Sequence, residues 1–419
     1  MRRAGWLLAA CLVLPRALGA EDFHLKDGDR VVFYGDSITQ DGGYARGVEA
    51  FAATRFPARD LTFWYAGVGG DRVSGGWAGA IDLRLDRDVI AHRPTVVTVM
   101  LGMNDGGYRA FDPALFETYG AGYRHLVARL KQELPGVRLT LIQPSPFDDV
   151  TRTPGGPEGY NAVLRRYAEF VAGLARETGS ATADLNGPMV AGLEKVQKID
   201  PALARQLVPD RVHPSAAGHL VMAAALLRAW NAPATVTRVH VEAGGPRVVA
   251  SEGAALSDLA RAGDSLAWTE ADDALPLPLD FANAEVELAE MAGANLAGLD
   301  EEVLRVTGLA GGRYRLAIDG KPAGEFSDRE LAAGVNLARF DTPMRQQAAP
   351  VGWGAQDRQE VLTVRRQLLV MSGADAGLAE TARTLGTVAD RMARDRRQPT
   401  RPTPHRYELS ASRGTPPIR

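Results

Sequence analysis

Through the first half of the chain, short apolar runs alternate with longer stretches of helical periodicity. Residues 31–34, 61–66, 95–101, 137–143 and 181–185 are aliphatic, β-branched or aromatic and end at Gly, Pro or polar clusters, which predicts five buried strands. Between them, apolar positions recur at helical spacing over 43–55, 80–92, 111–134 and 158–178, and a strongly apolar helix is predicted over 215–230, with Pro214 in its first turn. Strands alternating with helices of this length predict right-handed crossovers and a parallel sheet with helices on both faces, an α/β domain. Past Asn231 the pattern changes. Short β-like runs at 236–241, 246–251, 303–308, 314–320 and 321–326, with Asp319-Gly320 as a hairpin turn, predict a small β-rich domain. Helical spacing returns at 359–371 and 376–394. Residues 395–419, rich in Pro, Arg, Thr and Ser, are expected to be a disordered tail. The expected organisation is 1–20, 21–232, 233–341, 342–394 and 395–419.

The first 20 residues stand apart. Arg2 and Arg3 precede an apolar run, and small residues close it at Ala17, Gly19 and Ala20. This is a signal-peptide pattern, too short to span a bilayer, and it predicts a secreted or periplasmic protein without stable membrane insertion. Leu8-Ala9-Ala10-Cys11 resembles a lipoprotein cleavage box, so a lipid anchor is the second reading. Cys11 is the one cysteine of the 419 residues; without it the mature chain has no disulfide, cysteine nucleophile or thiolate metal site. A formal charge of -3 gives no electrostatic case for nucleic acid or an acidic membrane as partner.

Four stretches carry candidate chemistry. Ser37 follows the first predicted strand, at the edge where open α/β sheets bind ligands. Gly67-Val68-Gly69-Gly70-Asp71 follows the second strand, Gly102-Met103-Asn104-Asp105 the third, and Asp210-Arg211-Val212-His213 precedes the last helix of the domain. Acyl transfer needs a hydroxyl nucleophile, an imidazole to take its proton, and a carboxylate to hold the imidazole. Ser37, His213 and Asp210 are of those types, and the spacing of Asp210 and His213 allows one local turn to join them. The oxyanion needs donors: the backbone N–H of Ser37 and Gly70 and the Asn104 amide qualify. Alone, each has a plainer explanation: a serine after a strand is more often a helix cap, Asn104 a turn residue, and His213 a residue leading into a helix. Together and in this order the four stretches resemble the blocks of the SGNH/GDSL esterase family, over residues 29–230. The resemblance implies a flavodoxin-like fold, a Ser37–His213–Asp210 triad, an oxyanion hole from Ser37, Gly70 and Asn104, and ester hydrolysis without metal or organic cofactor. One position departs from the family's habit: Tyr65 stands where an Asn is frequent, which puts local turn geometry in question.

The remaining candidates have simpler expected roles. Asp36, Asp71 and Asp105 are assigned to hydrogen bonding around their loops, His219 to helix packing and His92 to a helix end. Gly263-Asp264-Ser265-Leu266 repeats part of the serine block but follows no apolar strand, and is read as a chance match. Trp64, Trp77, Tyr108 and Phe147 lie near the site loops, to stack on sugars or simply to pack. The loop 144–157 is long enough to wall the site. No Gly-x-Ser-x-Gly elbow is present, and one well-placed histidine is too few for a two-metal phosphoesterase. The expected function is a secreted serine esterase acting on small-molecule or polysaccharide esters, foremost carbohydrate acetyl esters. Lipase, lysophospholipase or acyltransferase activity at the same site is the alternative, and a non-catalytic carbohydrate-binding protein comes after it. The β-rich domain is expected to brace the first.

Overall fold

The computed structural model describes residues 23–155, 158–352, 357–372 and 375–412; the expected signal segment and Cys11 lie outside them. The five predicted strands form β1 (Arg30–Gly35), β2 (Thr62–Gly67), β3 (Val96–Met100), β4 (Arg138–Ile142) and β5 (Ala181–Ala183). They make one parallel sheet in the order β2-β1-β3-β4-β5. This is the flavodoxin-like order, whose switch point lies between β1 and β3. Side chains alternate across β1 and fix its two neighbouring layers. Phe33 meets Tyr44 and Trp230 on the face covered by helices Gly43–Arg55 and Ala216–Ala229, whereas Tyr34 lies beneath Arg84 on the other face. Helices Ile81–Asp88, Pro113–Glu133 and Tyr160–Thr178 cover that second face.

Two helices, Asn186–Ile199 and Pro201–Leu207, occupy a stretch for which the periodicity predicts no element. Asp200 ends the first and caps the second, accepting from the N–H of Ala202 at 2.7 Å and Leu203 at 3.2 Å, with Pro201 in the opening turn. Pro214, expected inside the next helix, precedes it: Ser215 is the cap and accepts from Gly218 N at 3.3 Å.

Past residue 231 the chain builds two more sheets. Their strands are β6 (Thr235–Glu242), β7 (Arg247–Glu252), β8 (Ala254–Ala262), β9 (Ser265–Asp272), β10 (Glu301–Thr307), β11 (Arg313–Ile318), β12 (Lys321–Ser327), β13 (Val335–Asn336) and β14 (His405–Ala411). The orders are β13-β10-β6-β7 and β8-β9-β14-β11-β12. Both sheets contribute to one apolar cluster that includes Val241, Val306, Leu316 and the stacked pair Trp268–Tyr407, 5.1 Å between centroids. The β11–β12 hairpin turns at Asp319-Gly320 as predicted, with both residues at positive φ. Strands β8 and β9 are unpredicted; most of β8 is exposed, so it lacks the apolar alternation that marks a half-buried strand. Gly263-Asp264 is their hairpin turn, in a different sheet from the strand that leads into Ser37.

The expectation of a disordered tail over 395–419 is corrected. β14 pairs with β9 on one side and β11 on the other, placing it at the centre of its sheet. His405, Tyr407 and Leu409 alternate inward, a three-residue signal outweighed by the Pro- and Arg-rich stretch before it. Residues 413–419 lie outside the described part.

The helices Asp357–Ser372 and Ala376–Arg397 pack on each other, and the first returns to the α/β layer. Its buried Arg358 is paired with Glu49 at 3.1 Å and donates to the carbonyls of Phe63 at 2.6 Å and Ala389 at 3.1 Å. Glu49 also accepts from the Tyr65 hydroxyl. The tyrosine that departs from the family's habit is therefore part of the seat for this helix. A second pin sits at the end of the same Gly43–Arg55 helix. Arg55 pairs with buried Asp300 at 2.9 Å and donates to the carbonyls of Pro233 at 2.6 Å and Thr235 at 3.0 Å.

Beside the shared core, Glu270 and Glu302 are buried next to the half-buried Asp272, and among the described residues neither oxygen of Glu302 has a partner. Burial first, then neighbouring carboxylates, raises Asp272 and Glu302 well above the carboxylate range; burial raises Glu270 to about 7. The folded state therefore holds these protons more tightly than the unfolded chain. The resulting stability is full in acid and is lost as pH rises through about 7. Thermal unfolding should show Tm falling as pH rises from about 4.5 through about 7, and Glu302→Gln should flatten that fall. An unaltered slope in the variant would contradict the assignment.

Candidate active site

Ser37 sits where β1 ends and a five-residue helix, Ser37–Asp41, begins. Asp36 caps that helix, its Oδ1 accepting from Ile38 N at 3.0 Å. The turn is tight enough to require glycine on both neighbouring strands. A Cβ on Gly35 would lie 2.3 Å from Thr39 Oγ1, and one on Gly67 would lie 2.1 Å from Gln40 N. With no side chain in the way, the helix crosses the ends of β1 and β2 and holds Ser37 at the mouth of the sheet.

The structure brings His213 and Asp210 to it in line. His213 Nε2 is 2.8 Å from Ser37 Oγ, and His213 Nδ1 is 2.6 Å from Asp210 Oδ2. Asp210 Oδ1 also accepts from the N–H groups of Val212 at 2.9 Å and His213 at 2.7 Å. Burial works to raise the Asp210 pKa, but the bonds from His213 and Val212 outweigh it and hold the carboxyl below its ordinary range. An ionised Asp210 keeps the imidazole proton on Nδ1, so the Nε2 lone pair faces the serine.

Arg211, between these two residues, is one the sequence reading left without a role. Its backbone is left-handed, φ 76°, which is uncommon for a residue with a side chain. Loop 144–157 holds it there. Arg211 donates to Asp148 O at 3.0 Å and Thr153 O at 3.1 Å, pairs with Asp149 at 2.7 Å, and covers the Phe147 ring at 4.5 Å. Asp148 N returns a bond to Arg211 O at 2.9 Å. The long loop thus buttresses the Asp210–His213 turn. The signal was its position inside the Asp-x-x-His block.

The predicted oxyanion donors lie on the turns that follow β1, β2 and β3, and a Cβ on Gly69, next to Gly70, would lie 3.9 Å from Ser37 Cβ. Among the described residues, the N–H groups of Ser37 and Gly70 meet no acceptor. Gly70 has φ 75°, and a Cβ there would meet nothing within 4 Å, so its backbone borders open space. Asn104 Nδ2 donates to Asp71 O at 3.1 Å, which leaves its second amide hydrogen uncommitted, and its Oδ1 accepts from Tyr108 Oη at 2.9 Å. Gln40 and Trp77 hold the adjoining Gly69: Gln40 Oε1 accepts from Gly69 N at 2.8 Å, and Trp77 Nε1 donates to Gly69 O at 3.0 Å. Behind this turn, Asp71 is locked by buried Arg84 at 2.9 Å, which also pairs with Asp88 and donates to Ala66 O at 2.8 Å.

The flanking carboxyls take the structural roles expected of them. Asp105 Oδ1 accepts from Val73 N at 2.9 Å, joining the third block to the second. Burial raises both Asp36 and Asp105 to about 7. His219 is buried, accepts from Tyr44 N at 3.2 Å through Nδ1, and donates to Asp41 at 2.8 Å. His92 stacks on Trp64 at 4.9 Å under the Asp357–Ser372 helix, where burial lowers its pKa to about 4. Trp64 therefore does not border Ser37, and Phe147 packs against Tyr160, Tyr108 and Arg211. Trp77 and Tyr108 remain exposed, at 61% and 46%, bonded to Gly69 and Asn104.

Beside Ser37 and His213 opens a cleft of about 540 Å³. Half of its ten lining residues belong to the Asp357–Ser372 helix. Among the described residues, no group of three or more His, Cys, Asp or Glu side chains is placed to hold a metal ion. No described helix is long and apolar enough to cross a membrane.

The profile of the GDSL-like lipase/acylhydrolase family matches residues 33–221, which contain all four sequence blocks. The chain is 29% identical over 226 residues to an acetylxylan esterase of Geobacillus stearothermophilus, covering 48% of this chain and 93% of that one. The solved structure of Axe2, an acetylxylan esterase of that organism, covers 50% of this chain and 96% of its own at 27% identity and a TM-score of 0.41. A gut microbial diltiazem-metabolizing enzyme matches 93% of this chain and 98% of its own, with 25% identity and a TM-score of 0.80, so its likeness extends through the sheets and helices of the C-terminal half. The chain belongs, through residues 33–221, to the GDSL-like lipase/acylhydrolase family, and it is an esterase.

Proposed function

We propose that the protein is an exported acetyl esterase that removes acyl groups from carbohydrate hydroxyls, with Ser37 as nucleophile. The observation that carries the mechanism is the continuous chain from Ser37 Oγ through His213 to Asp210, set beside two unpaired backbone N–H groups. His213 takes the serine proton as Oγ attacks the ester carbonyl. The oxyanion is received by the N–H groups of Ser37 and Gly70 and the free amide hydrogen of Asn104. The protonated His213 then gives its proton to the departing alcohol, and water repeats the sequence to release the acid. Asp210 stabilises the imidazolium without taking the proton.

The acetylxylan esterase relative supports a short acyl group on a sugar, and so does the cleft, where Val364 is the one aliphatic side chain of the ten that line it. The basic, apolar and small-residue pattern of the first 20 residues supports export. A second reading, hydrolysis of small non-carbohydrate esters, is favoured by the nearly full-length likeness to the diltiazem-metabolizing enzyme.

Hydrolysis of p-nitrophenyl acetate, butyrate and octanoate, with Ser37→Ala beside the native protein, tests the core of this reading. Acetate should be preferred, and Ser37→Ala should abolish turnover while leaving the melting temperature nearly unaltered; activity surviving in the variant would refute the serine mechanism. Arg211→Ala removes the hold of the loop on the Asp210–His213 turn. Misplacement of that pair should lower kcat on the order of 100-fold with little effect on KM, and a kcat equal to that of the native protein would show that the turn holds itself. On acidification kcat/KM should fall, because a protonated imidazole cannot accept from Ser37 while Asp210, held below its ordinary range, stays ionised. A profile flat into strong acid would exclude His213 as the base.

A further inference from the structure

The Asp357–Ser372 helix presents two adjacent stripes. Arg358, Leu362 and Arg366 recur every fourth residue and are buried against the α/β layer, where Leu362 and Arg366 cover Trp64 and Tyr65. On the next stripe, Gln359, Glu360, Thr363, Val364 and Gln367 face the cleft that contains Ser37 and His213. Gln359 sets the register of the helix: its Nε2 donates to Gln40 O at 2.6 Å. The Gln40 side chain holds Gly69, so this wall and the oxyanion turn are joined through one residue.

The cleft touches Ser37 and His213 but neither Gly70 nor Asn104. It lies on the side of the imidazole, which returns the proton to the leaving alcohol, and does not include the Gly70 and Asn104 donors. Its polar groups are underused. Among the described residues, Arg46 has no carboxylate within ion-pair distance, and its one acceptor is the carbonyl of Asp41, 2.6 Å away. Glu360 has no hydrogen-bond or ion-pair partner there. An unpaired guanidinium and an unpaired carboxylate share the cleft with the Thr363 hydroxyl and the Gln367 amide. An apolar alcohol would strip water from these groups and give nothing back. An anionic alcohol would meet Glu360 and Asp41, and a cationic one Arg46. A neutral polyol satisfies them all, since each hydroxyl both donates and accepts.

We infer that the Asp357–Ser372 helix is the leaving-alcohol subsite and that Arg46, Glu360, Thr363 and Gln367 select a neutral, polyhydroxylated alcohol such as a sugar. The inference rests on the esterase reading above and deepens it: three of the four selecting residues come from a segment outside residues 33–221, which the family profile matches.

The test uses the full-length protein with an acetylated xylo-oligosaccharide and p-nitrophenyl acetate, and reads the ratio of the two kcat/KM values. Glu360→Ala should lower that ratio about 10- to 100-fold, the range for losing a hydrogen bond to a charged group, with the sugar-ester loss carried by KM. Glu360→Gln, which keeps an acceptor, should restore most of it. Glu360 is exposed, so unchanged circular dichroism is expected for both variants. A Glu360→Ala ratio equal to the native one overturns the subsite, as does a native enzyme that turns over p-nitrophenyl acetate through Ser37 yet ignores the sugar ester; in both cases the serine esterase reading stands. A native protein inert to every ester and unlabelled by a fluorophosphonate at Ser37 overturns both.

Discussion

The structure depends on how closely a five-residue helix can be laid across the ends of two strands. Helix Ser37–Asp41 touches the backbone of β1 and β2 at Gly35 and Gly67, where a single added carbon would overlap Thr39 or Gln40. A side chain at either position would lift the helix, and with it the Ser37 hydroxyl, the Ser37 N–H and the Gln40 side chain that holds Gly69. The serine reaches His213, and the Gly69-Gly70 turn approaches the serine, because two glycines keep that distance short. Asp36 completes the fit by capping the helix from a buried position. Its raised pKa is the electrostatic cost of bringing a carboxyl so far inside.

One helix joins this site to the rest of the chain. Gly43–Arg55 packs through Gly43 and Tyr44 on His219, offers Glu49 to Arg358, and ends in Arg55 on Asp300. Each of the two ion pairs ties the α/β layer to a different part of the C-terminal half. Both are buried and reinforced by carbonyls, the condition under which loss of one partner leaves an expensive unpaired charge. The parallel sheet and the appended segments therefore behave as one body at the site, and Tyr65 belongs to that junction.

The α/β half was legible because its signals are redundant. Four of the five strands are apolar runs closed by Gly or Pro, most of the helices have their own periodicity, and three of the four chemical blocks fall at strand ends, with the fourth before the last helix of the layer. The C-terminal half offered single signals. The Asp319-Gly320 turn was readable because its two positive-φ positions suit those residue types. Strand β8 was not, being largely exposed, and β14 was hidden by the composition that precedes it. Within the site, Ser37, His213 and Asp210 form the hydrogen-bonded line their residue types suggested, but Arg211 and the Asp357–Ser372 wall depend on contacts made across more than 50 residues of sequence. No local pattern reports such contacts.

The central place of β14 bears on how the molecule is made. Its partners β9 and β11 are complete long before residues 405–411 leave the ribosome. During that interval the second sheet is a pair of halves with two open edges facing an empty slot, the arrangement most prone to capture a foreign strand. The nascent chain must keep those edges apart, or shielded, until its own last strand arrives. Synthesis that stops short of residue 405 would leave the α/β layer and its Ser37–His213–Asp210 line able to form, attached to a sheet that cannot close.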